Sequence, residues 1–412
     1  MVMDADVIII GGGLIGSTLA LALARHDVSS IVVDTQDLDS TVLPAFDGRA
    51  SAIASASARM LRALDIGAVL DSDGCSIRAI RVTDGTAPQF LHFEAPAGDD
   101  ALGIMLENRL LRIALLRAVR ATPQVRLIAP AKVVSLLRDA HCATLALADG
   151  QVFTAPLAIA ADGRRSATRE AAGIRLTGWS YPNAALVTMV AHSVPHGGVA
   201  CELFYPSGPL ALLPMTDSAP EGPGGGRPRS AIVWTVDEAA AAGARKLGHR
   251  ALAAEIAARI DGTLGDVEII APQAVWPLGY HHAATYHAER LLLVGDAAHG
   301  IHPIAGQGLN MGFRDVAACA EVLVDALRTG QDIGAPDVLK RHSQWRRFDN
   351  SMVGAVTDGL NRLFAVPGRV PAAVRRFGLA GVQRLPPLKA RFMAEARGET
   401  GKLPALLRGE LL

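Results

Sequence analysis

An apolar run at Asp6–Ile10 breaks into Gly11-x-Gly13-x-x-Gly16 and then into helical periodicity over Leu14–Arg25. A second apolar run, Ser30–Asp34, follows. Few local patterns restrict a fold more. The glycines permit a tight strand-to-helix turn, close approach of backbone to a pyrophosphate, and close helix–strand packing; the helix N-terminus then offers free N–H groups to an anion. Asp34 ends the second run, where an acid can bond ribose hydroxyls. The unit reads as the start of a βαβ dinucleotide site. A ligand-free glycine turn in an α/β fold is the alternative.

Val7–Ala24 carries no charge over 18 residues, long enough to raise a membrane span. Its glycines, and Asp4 and Asp6 before it where a signal peptide needs a positive flank, argue against that. The other 390 or so residues contain no credible span. Hydrophobic residues make up 50% and Gly adds 41 residues, against 19% charged and 4% aromatic. Disordered, collagenous and disulfide-scaffold classes are excluded, leaving a compact protein or one that handles something greasy. Cys75, Cys142, Cys201 and Cys319 have no metal-like spacing and fit a reducing compartment. Formal net charge is zero, with no nucleic-acid footprint. Residues 341–412, however, hold 13 Lys/Arg against 5 Asp/Glu. Such a basic tail suits anionic lipid or an acidic partner, or packs on its own acidic body.

Further along, Arg59–Leu64 and Leu110–Val119 read as amphipathic helices, and Lys132–Leu137, Ala143–Leu147 and Val152–Ala155 as an antiparallel meander turning at Asp149–Gly150. Leu157–Ala161 is another buried strand. Segments Ala184–Ala191, Ala200–Tyr205, Leu210–Pro214 and Ala231–Val236, with a helix near Arg250–Ile260, predict a mixed sheet; 217–230 is a loop tip. Arg290–Val294 returns to a buried strand, a helix begins near Leu309, and 337–412 is helical with Pro breaks.

Two more motifs follow strands. Asp162-Gly163-x-x-Ser166-x-x-Arg169 combines a strand-end carboxylate, a Gly turn and a capping Ser, coherent even as local structure alone. Gly295-Asp296-Ala297-Ala298-His299, then His302-Pro303 and Gly306-Gln307-Gly308-Leu309-Asn310, places an acid at a strand end and a glycine loop before a helix. The N–H groups of that helix start form an anion nest, as a reduced flavin requires.

These three motifs in this order resemble the para-hydroxybenzoate hydroxylase-like FAD-dependent monooxygenases. The wording GDAAHGIHPIAGQGLNMGFRD, with FDGRASAIASASARMLRALDIG and ARFMAEARGETGKLP, resembles the ubiquinone-biosynthesis hydroxylase family within them, over about residues 5–405. The resemblance implies a mixed α/β (α+β) fold: a Rossmann-like FAD-binding domain from 1–75, 100–178 and 270–340, an inserted mixed-sheet substrate domain from 76–99 and 179–269, and a basic helical region, 341–412. It implies that Gly11, Gly13 and Gly16 hold the FAD pyrophosphate and Asp34, where many relatives carry Glu, the adenosine ribose. Arg49 and Arg109 would contact flavin or nucleotide, and Val133 adenine. Asp162 and Gly163 would serve FAD and NAD(P)H, and Asp296 the ribityl chain. Pro303, Gly306, Gly308, Leu309 and Asn310 would line the isoalloxazine.

With one GxGxxG and no second fingerprint, the expectation is tightly held FAD and transiently docked NAD(P)H as electron donor. In the superfamily, hydride reduces the flavin, O2 adds at C4a, and the hydroperoxide delivers an electrophilic hydroxyl to an electron-rich ring. No residue is assigned to catalysis; His299 is a weak candidate, with a structural role as its alternative. Substrate-pocket candidates are Leu203, Tyr205, Leu213, Pro214, Trp276 and Pro277, Trp276 doubling as plain core. The family implies a polyprenylated phenol or quinone precursor as substrate. The basic amphipathic C-terminal region would then dock peripherally on the inner membrane, from the cytoplasm, or on a ubiquinone-biosynthesis complex. A homodimer is compatible with the sequence. A monooxygenase for a small soluble aromatic, and a non-catalytic FAD-containing scaffold, remain open, as do the ring position attacked and the choice of NADH, NADPH or a ferredoxin-type donor.

Overall fold

The computed structural model describes residues 3–43, 49–87, 90–96, 98–301, 306–365 and 381–412. A six-stranded sheet runs in the order His287–Ala288, Leu291–Leu293, Leu157–Ala160, Val7–Ile10, Ser30–Val33, Val125–Ile128. Neighbours are parallel except the first pair. Its central strands are buried along their whole length, which is why they read as unbroken apolar runs. Helix Leu14–Ala24 covers one face and packs against helices Asn108–Ala121 and Gln307–Arg328. On the other face the meander Val133–Arg138, Ala143–Leu147, Val152–Ala155 sets Leu145, Leu147 and Phe153 against Ile8, Ile10, Ile31 and Val33.

The nine-stranded mixed sheet runs His299–Gly300, Ala274–Ala283, Leu176–His192, Arg229–Asp237, Gly208–Met215, Val199–Tyr205, Ala79–Asp84, Phe90–Glu94, with Val267–Ile269 added on Leu176–His192. Helix His249–Ile260 covers one face, where Leu252, Ile256 and Ile260 meet Leu186, Ile232 and Trp234. The opposite face, through Met189, Leu213, Met215 and Ala231, looks onto a small sheet of Ala50–Ala54, Gly103–Glu107 and Cys75–Ile77, and onto Val382 and Met393 of the C-terminal region.

Strand Ala274–Ala283 was hidden in the sequence by Pro277, which cannot donate to a ladder. Pro277 sits opposite Ala184, where the pairing register with Leu176–His192 shifts between Ser180 and Ala184, so its missing donor falls at an irregularity. The Ala- and Ser-rich strand Ala50–Ala54 likewise carries little β signal of its own.

The C-terminal region is helical over Pro336–Ala365, Pro386–Ala396 and Ala405–Arg408. It is less a tail than a brace. Leu406 and Leu407 are fully buried in the core cluster that contains Val7 and Ile9. Arg346 pairs with Asp315, and Arg397 with Asp99, so part of the basic excess rests on the acidic body. Among the described residues no helix is long and apolar enough to cross a membrane.

Candidate FAD and substrate site

The N-terminal glycine turn is sterically fixed. Gly11 has φ +109°, and a Cβ there would stand 2.3 Å from the Ala161 carbonyl oxygen. A Cβ on Gly16 would stand 1.8 Å from the Gly11 oxygen. Gly13 starts helix Leu14–Ala24 with no side chain capping its N–H groups. Asp34 accepts the Gly12 N–H at 2.7 Å through Oδ2 and the Gln36 N–H at 2.8 Å through Oδ1. Gly12, Gly13, Ser17, Asp34, Leu38 and Arg112 line one cleft. Arg109 donates instead to the Leu43 carbonyl and does not line it, while Arg112, one helical turn on, does, and donates to the Thr41 carbonyl at 3.3 Å. Val133 packs into the cluster of Ile10 and Val33, beside the strand ends that carry the turn.

The second and third motifs meet. Asp162 accepts the Thr168 N–H at 3.1 Å through Oδ2, while Oδ1 is buried without a partner among the described residues. Gly163 has φ +80°. Ser166 caps its helix by accepting the Arg169 N–H at 2.9 Å. The Arg169 guanidinium, 1% exposed, donates to the Ala297 carbonyl at 3.0 Å and so ties one motif to the other. Asp296 is exposed beside this junction, and its carbonyl faces His281 Nε2 at 2.9 Å. Gly306, φ +62°, opens helix Gln307–Arg328, again with no side chain capping it. Gly308 is open to space at its Cβ, and Leu309 packs on the core. Asn310 is buried: Oδ1 accepts the Ala54 N–H at 2.9 Å and Nδ2 donates to the Ala52 carbonyl at 2.8 Å, pinning the helix start to strand Ala50–Ala54. His302 and Pro303 lie outside the described residues.

Beneath this turn lies a buried polar network. Asp315 Oδ2 meets His299 Nε2 at 2.5 Å and accepts the Gly295 N–H at 2.9 Å. Its Oδ1 accepts from Arg346 Nε at 2.9 Å and Asn350 Nδ2 at 3.0 Å. Burial alone would raise the Asp315 carboxyl; His299 and the Arg346 guanidinium outweigh it and hold it well below the usual carboxylate range. Asn350 also reaches Tyr286, whose hydroxyl lies 2.9 Å from His282 Nε2. Burial lowers His282 to about 4 and pushes Tyr286 up.

The substrate-pocket candidates divide between the two faces of the nine-stranded sheet. Leu203 and Tyr205 belong to the helix-covered face, where the Tyr205 hydroxyl donates to the Arg259 carbonyl. Pro214 is buried, next to Leu213 and so, by strand alternation, on the face opposite it. Leu213 is on the other face, in the cluster that includes Ala50 and Ala52; Ala52 is the residue a Gly306 Cβ would touch at 3.4 Å. Trp276 is 44% exposed under the Arg49 guanidinium, 5.4 Å from its ring centre, and Pro277 beside it is exposed. The structure thus brings Leu213, Arg49 and Trp276 to the glycine-loop side, and leaves Leu203, Tyr205 and Pro214 away from it.

Residues 4–347 match the family model described as FAD binding domain. Over 98% of its length the chain is 43% identical to the ubiquinone hydroxylase UbiL of Rhodospirillum rubrum, covering 93% of that protein. The chain belongs to the ubiquinone-biosynthesis hydroxylase family of FAD-dependent monooxygenases. This hydroxylase is also 33% identical to the 3-demethoxyubiquinol 3-hydroxylase of Escherichia coli, over 95% of the chain and 98% of the relative. Its fold is that of p-nitrophenol 4-monooxygenase PnpA from Pseudomonas putida, with a TM-score of 0.78 at 17% identity, over 98% of this chain and all of that one.

The hydroxylase fits FAD at both ends. Two glycine-started, uncapped helix N-termini offer N–H groups to anions, and Asp162 keeps a buried lone pair unused. When bound, FAD supplies the electron transfer and oxygen activation that no side chain provides. Sequence reasoning missed Arg112, Asp315 and Arg346. The available signals were the one-turn spacing of Arg112 from Arg109 and an aspartate set inside the otherwise largely apolar run Met311–Ala320.

Proposed function

We propose that this FAD-dependent monooxygenase hydroxylates the aromatic ring of a polyprenylated phenol or quinone precursor in ubiquinone biosynthesis, using NAD(P)H and O2. The observation that carries the reading is the apolar cluster shared by sheet and cofactor loop: Met189, Leu213 and Ala231 pack with Ala50 and Ala52, next to Gly306. An apolar wall beside the flavin cradle excludes water and suits a hydrocarbon-rich ring. Gly11, Gly13, Gly16, Asp34 and Arg112 would hold the ADP half of FAD, and Asp162, Asp296 and Gly306–Asn310 the flavin half. His299 would position the turn through Asp315 rather than act on substrate.

The finer proposal is peripheral attachment to the cytoplasmic face of the inner membrane. Supporting it, helix Pro386–Ala396 and its approach expose Leu385, Leu388 and Phe392 beside Arg384, Lys389 and Arg391, which have no ion-pair partner among the described residues. Helix Pro336–Ala365 adds an exposed stripe of Phe348, Met352, Val356 and Leu363. Basic, apolar helical faces lie on anionic bilayers.

The test is FAD retention on purification, then NAD(P)H oxidation and product formation with a polyprenylphenol and O2. Ring-hydroxylated product supports the reading. Turnover only with a small soluble phenol, or bound flavin with no substrate-stimulated oxidation when partner proteins are supplied, overturns it.

A further inference from the structure

Strand Val199–Tyr205 alternates between two environments. Cys201, Leu203 and Tyr205 turn to the helix-covered face, and Ala200 to the face that looks onto the cofactor loop. Glu202 therefore shares the Ala200 face. Its register partners are Val82 on one neighbouring strand and Ala211 on the other, followed across the sheet by Val233 and Val187. A single carboxylate stands in a row of aliphatic side chains, one step along from the row of Ala200, Leu213, Ala231 and Met189.

Glu202 has no hydrogen-bond or ion-pair partner among the described residues, and it keeps partial exposure. On the same face of the adjoining strand the ionisable residue is Asp84, one step further along. On the long helix Pro336–Ala365, Asp358 and Arg362 are engaged with each other and with Tyr181 and Trp179. Burial, with no opposing charge, pushes the Glu202 carboxyl up to about 7. An unpaired acid in apolar surroundings costs stability unless something bonds it. Such groups concentrate where a ligand completes them.

We propose that Glu202 is the polar anchor of the substrate ring, accepting a hydrogen bond from its phenolic hydroxyl. The inference rests on the phenol reading above. A charge-assisted O–H···O⁻ bond is short and directional, so it fixes which ring edge meets the flavin side, and it raises the electron density of the ring that is to be hydroxylated.

The experiment uses the full FAD-loaded chain and two probes, a short-chain 2-prenylphenol and its methyl ether. Binding is read from the perturbation of flavin absorbance, in the wild type, Glu202→Gln and Glu202→Leu, all with FAD retained. In the wild type the ether should bind at least about tenfold more weakly than the phenol, and in Glu202→Leu the two should bind alike. Glu202→Gln should raise KM and release more hydrogen peroxide per NAD(P)H consumed. A wild type that hydroxylates the phenol, with the same phenol-to-ether ratio in wild type and Glu202→Leu, overturns the Glu202 assignment alone. A wild type that neither binds nor hydroxylates any phenol overturns the functional reading, and the anchor with it.

Discussion

Asp315 Oδ2 and His299 Nε2 stand 2.5 Å apart in the interior, linking the long helix that follows the glycine loop to the turn bearing Asp296. The same carboxylate holds the Gly295 N–H and the Arg346 side chain. One acid thus fixes the backbone of the flavin turn and the C-terminal brace together.

Asp315→Asn should be among the most damaging conservative substitutions in the protein. It removes the fully buried carboxylate from the Arg346 guanidinium, 1% exposed, and leaves it only the partly exposed Asp349. Removing one partner of a buried pair costs about 3–5 kcal/mol. Urea unfolding should show that loss, with FAD lost on dialysis. A double Asp315→Leu/Arg346→Met variant should be more stable than Asp315→Asn alone, because the buried guanidinium is removed together with its buried carboxylate, while Asp349 keeps Arg314 nearby.

Arg112 and Arg109 sit on one helix but differ in what they face. Arg112→Ala should weaken FAD binding about tenfold, measured by titrating apoprotein with FAD. Arg109→Ala should change it less than threefold, since a charge-assisted contact to a phosphate is worth roughly 1.5–3 kcal/mol and Arg109 does not line the cleft.

Acid should unfold the protein through histidine. Burial holds His282 and His342 at about 4, below their ordinary 6.5. The unfolded chain therefore binds protons that the folded chain refuses. Stability is intact above about pH 6.5 and is lost progressively as pH falls toward 4, on the order of 3 kcal/mol for a fully buried ring. His342→Leu should flatten that limb in urea midpoints measured from pH 4 to 7.5. An unchanged slope would mean that carboxylates carry the acid sensitivity.

The proposed membrane contact should depend on Arg384, Lys389 and Arg391, three cations without an ion-pair partner among the described residues. Arg384→Glu/Lys389→Glu/Arg391→Glu should reduce cosedimentation with anionic vesicles by about a hundredfold, at roughly 1 kcal/mol per basic residue, with FAD content unchanged. Truncation after Arg347 is a poorer test, because it would remove Asn350, Leu406 and Leu407 from the interior. Equal cosedimentation of variant and wild type would sink the proposal.

The glycine motifs were legible in the sequence because their constraint is local: Gly11 and Gly16 have no room for a Cβ against backbone atoms only a few residues or one strand away. Strands such as Val7–Ile10 were legible because burial on both faces leaves an unmistakable apolar run. Glu202 and Asp315 were not, because their meaning comes from partners, or the want of them, far along the chain; Arg169 stood out in its motif, but its bond to Ala297 did not. Leu203 and Leu213 looked equivalent as strand apolars. Only the covering helix His249–Ile260 decides that they face opposite ways.

The burial of Leu406 and Leu407 against helices Ser55–Ala63 and Gln307–Arg328 sets an order of events during synthesis. A core that needs both Val7 and Leu407 cannot close while the ribosome still holds the later residues. The nascent cofactor domain must wait with apolar surface uncovered, a state in which chains aggregate or recruit chaperones. The short helix Ala405–Arg408, packed on the long helix that Gly306 opens, is a late-made part of that core.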